Sequence, residues 1–192
     1  MIDIYTDGSC TKSRSGWGFV AVVPGINIPL VNAGQESGAT NQRMELMAAL
    51  KALEWWFSTC VEDNDVTIWT DSAYLHNCWT DKWWVNWECN GWVNSKGEPV
   101  ANKDLWINLI TFFKNPQVQF KKLKGHSGHT YNEMADKLAT GVLKPDGSYD
   151  LKIDEINDKI NIELSEILMD YSMRKYPVDE TIKRIRKACS CE

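Results

Sequence analysis

The spacing of apolar residues changes near Thr40, and this change limits the folds that the chain can adopt. Before it, three β-branched or aromatic segments follow one another across short turns, at residues 2–6, 16–23 and 28–34. Segments of this kind, separated by glycine-containing turns, are typical of consecutive antiparallel strands. The first part of the chain is therefore predicted to form a three-stranded meander.

After Thr40 the pattern alternates between helix and strand. Apolar residues at steps of three and four predict a helix from Thr40 to about Trp56. Further patterns predict strands over 66–70 and 118–123 and helices over 72–79, 104–113 and 131–143. Alternating strands and helices are typical of parallel strands covered by helices. The sequence therefore predicts an α/β fold in which a meander continues into parallel strands.

The composition changes after the turn-forming string Lys144-Pro145-Asp146-Gly147. We therefore divide the chain of 192 residues into a domain at 1–146 and an extension at 147–192. Apolar residues in the extension recur at helical spacing, and they predict two amphipathic helices: Ile153, Ile156, Ile160, Leu164, Ile167 and Tyr171, then Val178, Ile182, Ile185 and Cys189.

Charge and cysteine content narrow the class of protein. The formal net charge is -5, which argues against a protein that binds nucleic acid through bulk positive charge, so any such binding must be local or metal-assisted. The six cysteines show no Cys-x-x-Cys pair, and no secretory leader precedes the first strand. No apolar run approaches the roughly 18 residues that span a bilayer. We expect a cytoplasmic protein with reduced thiols and no membrane segment.

Four acidic residues lie in short strings that point to metal chemistry: Asp7 in 5–9, Glu45 in 41–46, Asp71 in 69–72 and Asp136 in 132–136. Asp7 and Asp71 each follow a threonine at a predicted strand end, so parallel neighbouring strands would bring them to one edge of the sheet. Four converging carboxylates repel one another unless cations neutralise them. Oxygen ligands favour Mg²⁺ or Mn²⁺ over zinc.

Each acidic residue also has an ordinary structural interpretation. Asp7-Gly8 could form a turn, and Asp71 could cap the helix that follows it. Asp136, on a helix with Glu133 and Lys137, could be an exposed and solvated carboxylate. The occurrence of all four strings in one chain favours the metal site.

These strings resemble those of the type 1 ribonuclease H family. The resemblance covers about residues 1–144 and rests on four strings in order: Thr6-Asp7-Gly8-Ser9, Thr40 to Leu46, Thr70-Asp71-Ser72, and Gly125-His126-Ser127-Gly128-His129 with Asn132, Glu133 and Asp136. It implies a ribonuclease H-like fold, a five-stranded mixed sheet with three antiparallel and two parallel strands flanked by helices. It also implies that Asp7, Glu45, Asp71 and Asp136 are metal ligands.

The resemblance further implies hydrolysis of the RNA strand of an RNA/DNA hybrid. In that mechanism two Mg²⁺ ions, with Mn²⁺ as a possible substitute, promote in-line attack of water on the scissile phosphate, which leaves 5′-phosphate and 3′-hydroxyl ends. His126 matches a flexible histidine that assists proton movement or product release, a role that suits its titration near neutral pH. The alternative for His126 is a plain loop residue.

Substrate contacts are implied at three places. Residues that match minor-groove or phosphate contacts, where the 2′-hydroxyl distinguishes RNA from DNA, are Gly8, Ser9, Cys10, Thr40, Asn41 and Gln42. Asn41 and Gln42 could equally reflect helix-start chemistry, since Asn and Thr are favoured caps, and both interpretations can hold together. Five of the ten tryptophans lie in the segment that matches the family's DNA-contacting handle: Trp79, Trp83, Trp84, Trp87 and Trp92.

We define the handle segment as residues 79–103. We expect Trp79, Trp83 and Trp87 to form a local core and Trp84 and Trp92 to be the better exposed candidates for substrate contact. Between residues 81 and 103 the sequence has three lysines and three acidic residues, so the segment has no net charge and only weak basic character. Lysines 121, 122 and 124 offer an alternative phosphate contact, although solvated lysines are the ordinary outcome.

Two rival functions remain. A DNA nuclease of the same fold would share the strand-end carboxylates but lacks the string from Asn41 to Glu45 and the loop from Gly125 to His129. A non-catalytic hybrid-binding module would be expected to have lost at least one carboxylate, and none is lost here.

The extension carries no family motif, and it could pack on the domain, dimerise, or present a basic run to nucleic acid: Lys183, Arg184, Arg186 and Lys187. Because the handle segment is weakly basic, we hypothesise that this run adds affinity for hybrid. Truncation at Gly147 should then weaken binding and lower its salt dependence, measured by titrating hybrid at several salt concentrations. Unchanged binding would contradict the hypothesis.

Overall fold

The computed structural model describes residues 1–59, 64–125 and 127–145 of the chain. The strands are β1 (Ile2–Cys10), β2 (Ser15–Val22), β3 (Leu30–Gln35), β4 (Val66–Thr70) and β5 (Val118–Lys122). The helices are α1 (Asn41–Thr59), α2 (Ala73–Thr80), α3 (Trp83–Cys89), α4 (Lys103–Phe113) and α5 (Thr130–Thr140). His126 and the predicted extension at 147–192 lie outside the described residues.

The five strands form one mixed sheet in the order β3-β2-β1-β4-β5. β1 and β2, and β2 and β3, pair antiparallel, whereas β4 pairs parallel with both β1 and β5. The predicted α/β fold, with its meander and its two parallel strands, is confirmed.

Both faces of the central strand β1 are covered. Ile4 contributes to a large core with α1 residues such as Leu53 and Trp56. Tyr5, the next residue, lies in a second core with α5 residues such as Leu138. Because neighbouring side chains of a strand point to opposite faces, α1 and α5 sandwich the sheet at β1.

Two elements differ from the sequence prediction. β1 was expected to end near Thr6, but it continues to Cys10 because residues 7–10 pair with residues 18–15 of β2. Asp7-Gly8 is therefore extended strand, and the turn interpretation was wrong. The handle segment contains a separate helix, α3, which Lys82 divides from α2 by adopting a left-handed conformation.

The backbone of α1 lies directly against Gly8 of β1. A Cβ atom built on Gly8 would overlap the backbone of Met44 and Glu45. Only glycine therefore allows the second turn of α1 to lie directly on the strand. This close contact fixes where Glu45 enters the sheet edge.

Gly8→Ala should destabilise the domain because the added methyl group forces α1 away from β1. Overpacking at such a contact costs roughly 1–3 kcal/mol. The expected result is a lower midpoint in urea or thermal unfolding followed by circular dichroism. An unchanged midpoint would show that α1 can move without cost.

Candidate active site

Parallel pairing of β1 with β4 brings two of the predicted carboxylates together. Thr6 and Thr70 form the last residue pair between the two strands, and Asp7 and Asp71 directly follow them in the sequence. Asp7 is buried, with 8% of its surface exposed, and Asp71 is half-buried. The expectation that both residues leave the carboxyl edge of the sheet side by side is met.

Glu45 reaches the same edge from α1. Its side chain is buried, with 7% of its surface exposed, and the close approach of α1 at Gly8 directs it there. One carboxylate oxygen from each of Asp7, Glu45 and Asp71 can be chosen so that all three lie within 4.8 Å of one another. These three residues form the carboxylate cluster.

Asp136 approaches the cluster from the opposite face of the sheet, on α5. It lies close enough to Asp7 for its charge and a side-chain hydrogen bond to raise the pKa of Asp7. Asp136 is half-buried and is not one of the three residues whose oxygens meet within 4.8 Å. The structure thus brings all four predicted acidic residues to one end of the sheet, with Asp136 beside Asp7.

Burial and mutual repulsion dominate the electrostatics of this cluster. Burial raises the pKa of Asp7 to about 8, with further contributions from the charges of Asp71 and Asp136, while the Gly8 N–H donates a 2.8 Å hydrogen bond to Asp7 Oδ1 and opposes the shift. Burial also raises the pKa of Glu45 well above its ordinary value, with added repulsion from Asp7. Without a cation, the fold therefore disfavours the charged form of both carboxyls.

The donor set fits a divalent cation. Glu45 Oε2 is buried and has no hydrogen-bond partner within the described part of the chain. The ion pairs found between described residues also leave these four carboxylates without a lysine or arginine partner. Buried carboxylate oxygens without a positive partner match the ligand preference of Mg²⁺ and Mn²⁺.

The predicted substrate-binding residues of β1 and α1 lie beside the cluster. The Cys10 N–H donates a 3.1 Å hydrogen bond to Asn41 Oδ1, which ties the end of β1 to the start of α1. The Arg43 N–H donates to Thr40 Oγ1 at 3.2 Å, so the expected helix-capping role of Thr40 is confirmed. Thr40, Asn41 and Gln42 are exposed. Gly8 and Ser9 precede Cys10 on the same strand.

The tryptophans of the handle segment are buried or half-buried. Trp87 is buried, and Trp79 and Trp83 pack half-buried against the large core, as the local-core prediction required. Trp84 and Trp92 are also half-buried and pack against that core. Their role in substrate binding remains a prediction.

Two tryptophan rings of this region are covered by lysines. Lys114 Nζ lies 5.3 Å from the ring centre of Trp84, and Lys103 Nζ lies 5.2 Å from that of Trp92. Contacts of this geometry are cation–π interactions. Lys114 also pairs with Glu88 at 2.9 Å. These two lysines are therefore already engaged within the domain.

The loop that carries His126 leads to the cluster. His126 itself lies outside the described residues, but a Cβ atom on the preceding Gly125 would lie 2.7 Å from Asp71 Oδ2. The loop backbone therefore runs against the carboxylate of Asp71. His129 stacks on Tyr5, with 4.7 Å between ring centres.

Two residues on α1 and α5, the helices that carry acidic residues of the site, were assigned no role from the sequence. Arg43 joins the start of α1 to Glu36 at 2.6 Å and to Asp104 on α4 at 2.8 Å, and its hydrogen bond is the main cause of the lowered pKa of Asp104. Asn132 is buried one helical turn before Asp136, and its Oδ1 has no hydrogen-bond partner among the residues described. Long-range pairing and burial are not visible in local patterns.

Comparison with known proteins agrees with this geometry. The RNase H family model matches residues 1–144. A ribonuclease H of Syntrophomonas wolfei is 43% identical over 143 residues, which cover 74% of this chain and 96% of that protein.

Two solved structures share the fold. The foamy viral protease-reverse transcriptase in complex with RNA/DNA hybrid matches with a TM-score of 0.62 and 26% identity, over 73% of this chain but 19% of the viral chain. LC9-RNase H1, a type 1 RNase H with the type 2 active-site motif, matches with a TM-score of 0.62 and 20% identity over 96% of this chain and 84% of its own. The family match and the identity to the bacterial relative show that the chain belongs to the ribonuclease H family.

Proposed function

We propose that this ribonuclease H cuts the RNA strand of RNA/DNA hybrids internally, by two-metal-ion catalysis at the carboxylate cluster. The observation that carries the proposal is the convergence of Asp7, Glu45 and Asp71 within 4.8 Å, with Asp136 beside them. Such a set has no structural purpose that the fold requires, because burial of unpaired carboxylates destabilises a domain.

The surroundings of the cluster support a hybrid as substrate. Exposed polar groups at the end of β1 and the start of α1, including Asn41 and Gln42, lie next to the carboxylates and can donate to or accept from a 2′-hydroxyl. The foamy viral protein with the same fold was solved with an RNA/DNA hybrid bound. Asp71 and Asp136 are half-buried, so this side of the site is accessible from solvent.

In this mechanism the four carboxylates would hold Mg²⁺, with Mn²⁺ as a possible substitute. Two bound ions would supply Lewis acidity that activates the attacking water and stabilises the oxygen leaving the scissile phosphate. Asp7 and Glu45 provide buried anionic oxygens, while the Gly8 N–H keeps Asp7 oriented.

Hydrolysis breaks the bond between phosphorus and the 3′ oxygen of the upstream nucleotide. Water adds its oxygen to the phosphorus, and the departing 3′ oxygen takes up a proton. The products are a 5′-phosphate and a 3′-hydroxyl. We assign His126 to proton movement or product release, because it directly follows in sequence Gly125, whose backbone lies against Asp71.

A cytoplasmic location is part of the proposal. The described cysteines Cys10, Cys78 and Cys89 are free thiols, as expected in a reducing compartment. Within the described residues, none of the helices combines the length and the apolar character needed to cross a bilayer.

The two rivals make different predictions for substrate. A DNA nuclease of the same fold would cut duplex DNA, and a binding module would bind hybrid without cutting it. The retention of all four acidic residues favours an enzyme over the binding module.

Asp71→Asn should abolish cleavage of an end-labelled RNA/DNA hybrid, with a loss of roughly a hundredfold or more, because an amide is a poor substitute for an anionic metal ligand. Binding of the hybrid should be largely retained. Asp65→Asn is the matched control, since Asp65 is exposed at the opposite end of β4. The assay compares hybrid, duplex DNA and duplex RNA with Mg²⁺, Mn²⁺ or chelator, and it includes analysis of the product ends.

Cutting of duplex DNA would favour the DNA nuclease, and tight binding without cutting by the wild type would favour the binding module. An Asp71→Asn protein that cleaves at the wild-type rate would remove Asp71 from the site. Products with 3′-phosphates would contradict the proposed bond cleavage.

Asp7→Asn should stabilise the metal-free protein at pH 8. The raised pKa of Asp7 means that the folded state prefers the protonated carboxyl, so this residue's contribution to stability is present near pH 4 and is lost as the pH rises through about 8. Removing the charge should therefore increase the free energy of unfolding at pH 8, where the folded wild type has lost part of the proton that it prefers to keep.

The difference between Asp7→Asn and wild type should vanish near pH 4. Mg²⁺ should raise the melting temperature of the wild type more than that of the variant, because the ion binds the folded state. Thermal unfolding in chelator at pH 4 and pH 8 checks the first point, and unfolding at pH 8 with and without Mg²⁺ checks the second, with Asp65→Asn as control in both. A variant less stable than wild type at pH 8 in chelator would contradict the repulsion argument.

A further inference from the structure

Strand β5 and the residues after it carry a local concentration of positive charge. Lys121, Lys122 and Lys124 fall within four consecutive residues of a chain whose net charge is -5, and all three are exposed. None forms an ion pair with a carboxylate of the described residues. This charge is available to a ligand.

The lysines lead directly to the carboxylate cluster. β5 pairs with β4 up to Lys122 and Thr70, and the Leu123 N–H then donates to the Thr70 carbonyl at 2.8 Å. Lys124 is followed by Gly125, whose backbone lies against Asp71. A strand of nucleic acid held at the cluster would therefore pass close to Lys124.

The three lysines differ in what surrounds them. Lys121 pairs in register with Trp69, and its Nζ lies 5.0 Å from the centre of that ring. Lys122 points to the other face of the sheet because neighbouring residues of a strand alternate. Lys124 is two residues further on, about 7 Å along an extended chain, a spacing comparable to the step between neighbouring phosphates of one strand.

Two lysines that lie over tryptophans of the handle segment are already engaged within the domain. Lys103 and Lys114 are engaged over Trp92 and Trp84, and Lys114 is also paired with Glu88. An acidic protein that binds a polyanion needs unpaired cations close to its active site. Lys122 and Lys124 meet that need, because neither is paired with a described carboxylate and Lys124 precedes the glycine that lies against Asp71.

We propose that Lys122 and Lys124 bind backbone phosphates of the hybrid next to the scissile one, and that Lys121 does not. The inference rests on the proposed function, since it concerns the same substrate at the same site. Both lysines act as positioning residues, because they hold neighbouring phosphates and do not touch the reacting atoms.

A competing explanation is protection of the sheet edge. β5 is the last strand of the sheet, and lysines on such strands prevent pairing with other chains. A glutamate at the same position keeps the protective charge but repels phosphate. Charge reversal therefore separates the two explanations.

The experiment measures hybrid binding in the Asp71→Asn background by fluorescence anisotropy at several salt concentrations. Lys122→Glu and Lys124→Gln should each weaken binding threefold to tenfold at about 0.15 M salt, and each should lower the slope of log K against log salt by about one. Glutamine is used at 124 so that no fifth carboxylate is placed beside Asp71. Lys121→Glu and Lys121→Gln are the matched controls and should change binding less than twofold.

In the otherwise wild-type enzyme, Lys122→Glu should raise KM by a similar factor and leave kcat unchanged, as expected for a residue that only holds the substrate. Unchanged affinity and salt slope in both variants would overturn the inference, as would an equal loss in the Lys121 controls. Cleavage of hybrid by the wild type is measured alongside. If the wild type cuts hybrid but the lysine variants bind normally, the inference fails while the proposed function stands.

Discussion

The site depends on the in-register parallel pairing of β1 with β4. A shift of one residue in that pairing would turn Asp7 or Asp71 to the opposite face of the sheet, because side chains alternate along a strand. The register is fixed by the buried residues that precede the two aspartates, including Ile4 opposite Ile68. The hydrophobic core thus sets the distance between the two carboxylates, and the antiparallel pairing with β2 keeps β1 extended beyond Asp7.

The burial of Asp7 and Glu45 destabilises the metal-free fold, although the proposed function needs these carboxylates. Burial of Asp7 and Glu45 raises the pKa of each group, which means that the charged forms needed for metal binding are disfavoured by the fold alone. Strong packing around the cluster offsets this cost. Gly8 permits the tight contact with α1, and Arg43 fastens the start of that helix to Glu36 and Asp104.

Much of the fold and the site can be predicted from the sequence, because hydrophobic period and motif spacing are local signals. The meander, the helix after Thr40 and the convergence of the four acidic residues were all foreseen. The extension of β1 through Asp7-Gly8 was missed because an Asp-Gly pair resembles a turn unless its partner strand is known. The contacts of Lys103 and Lys114 with tryptophan rings could not be foreseen either, since they join residues that are distant in sequence.

Asp7 belongs to the first strand and the neighbouring Asp136 belongs to the last described helix, so the candidate site combines residues from near the two ends of the described domain. During synthesis, a nascent chain that has not yet produced α5 lacks the fourth acidic residue and leaves one face of β1 uncovered. The site is therefore assembled only when the whole domain has emerged and folded. Cleavage is therefore expected only after the whole domain has been translated, and incomplete chains that lack α5 should not cleave nucleic acid.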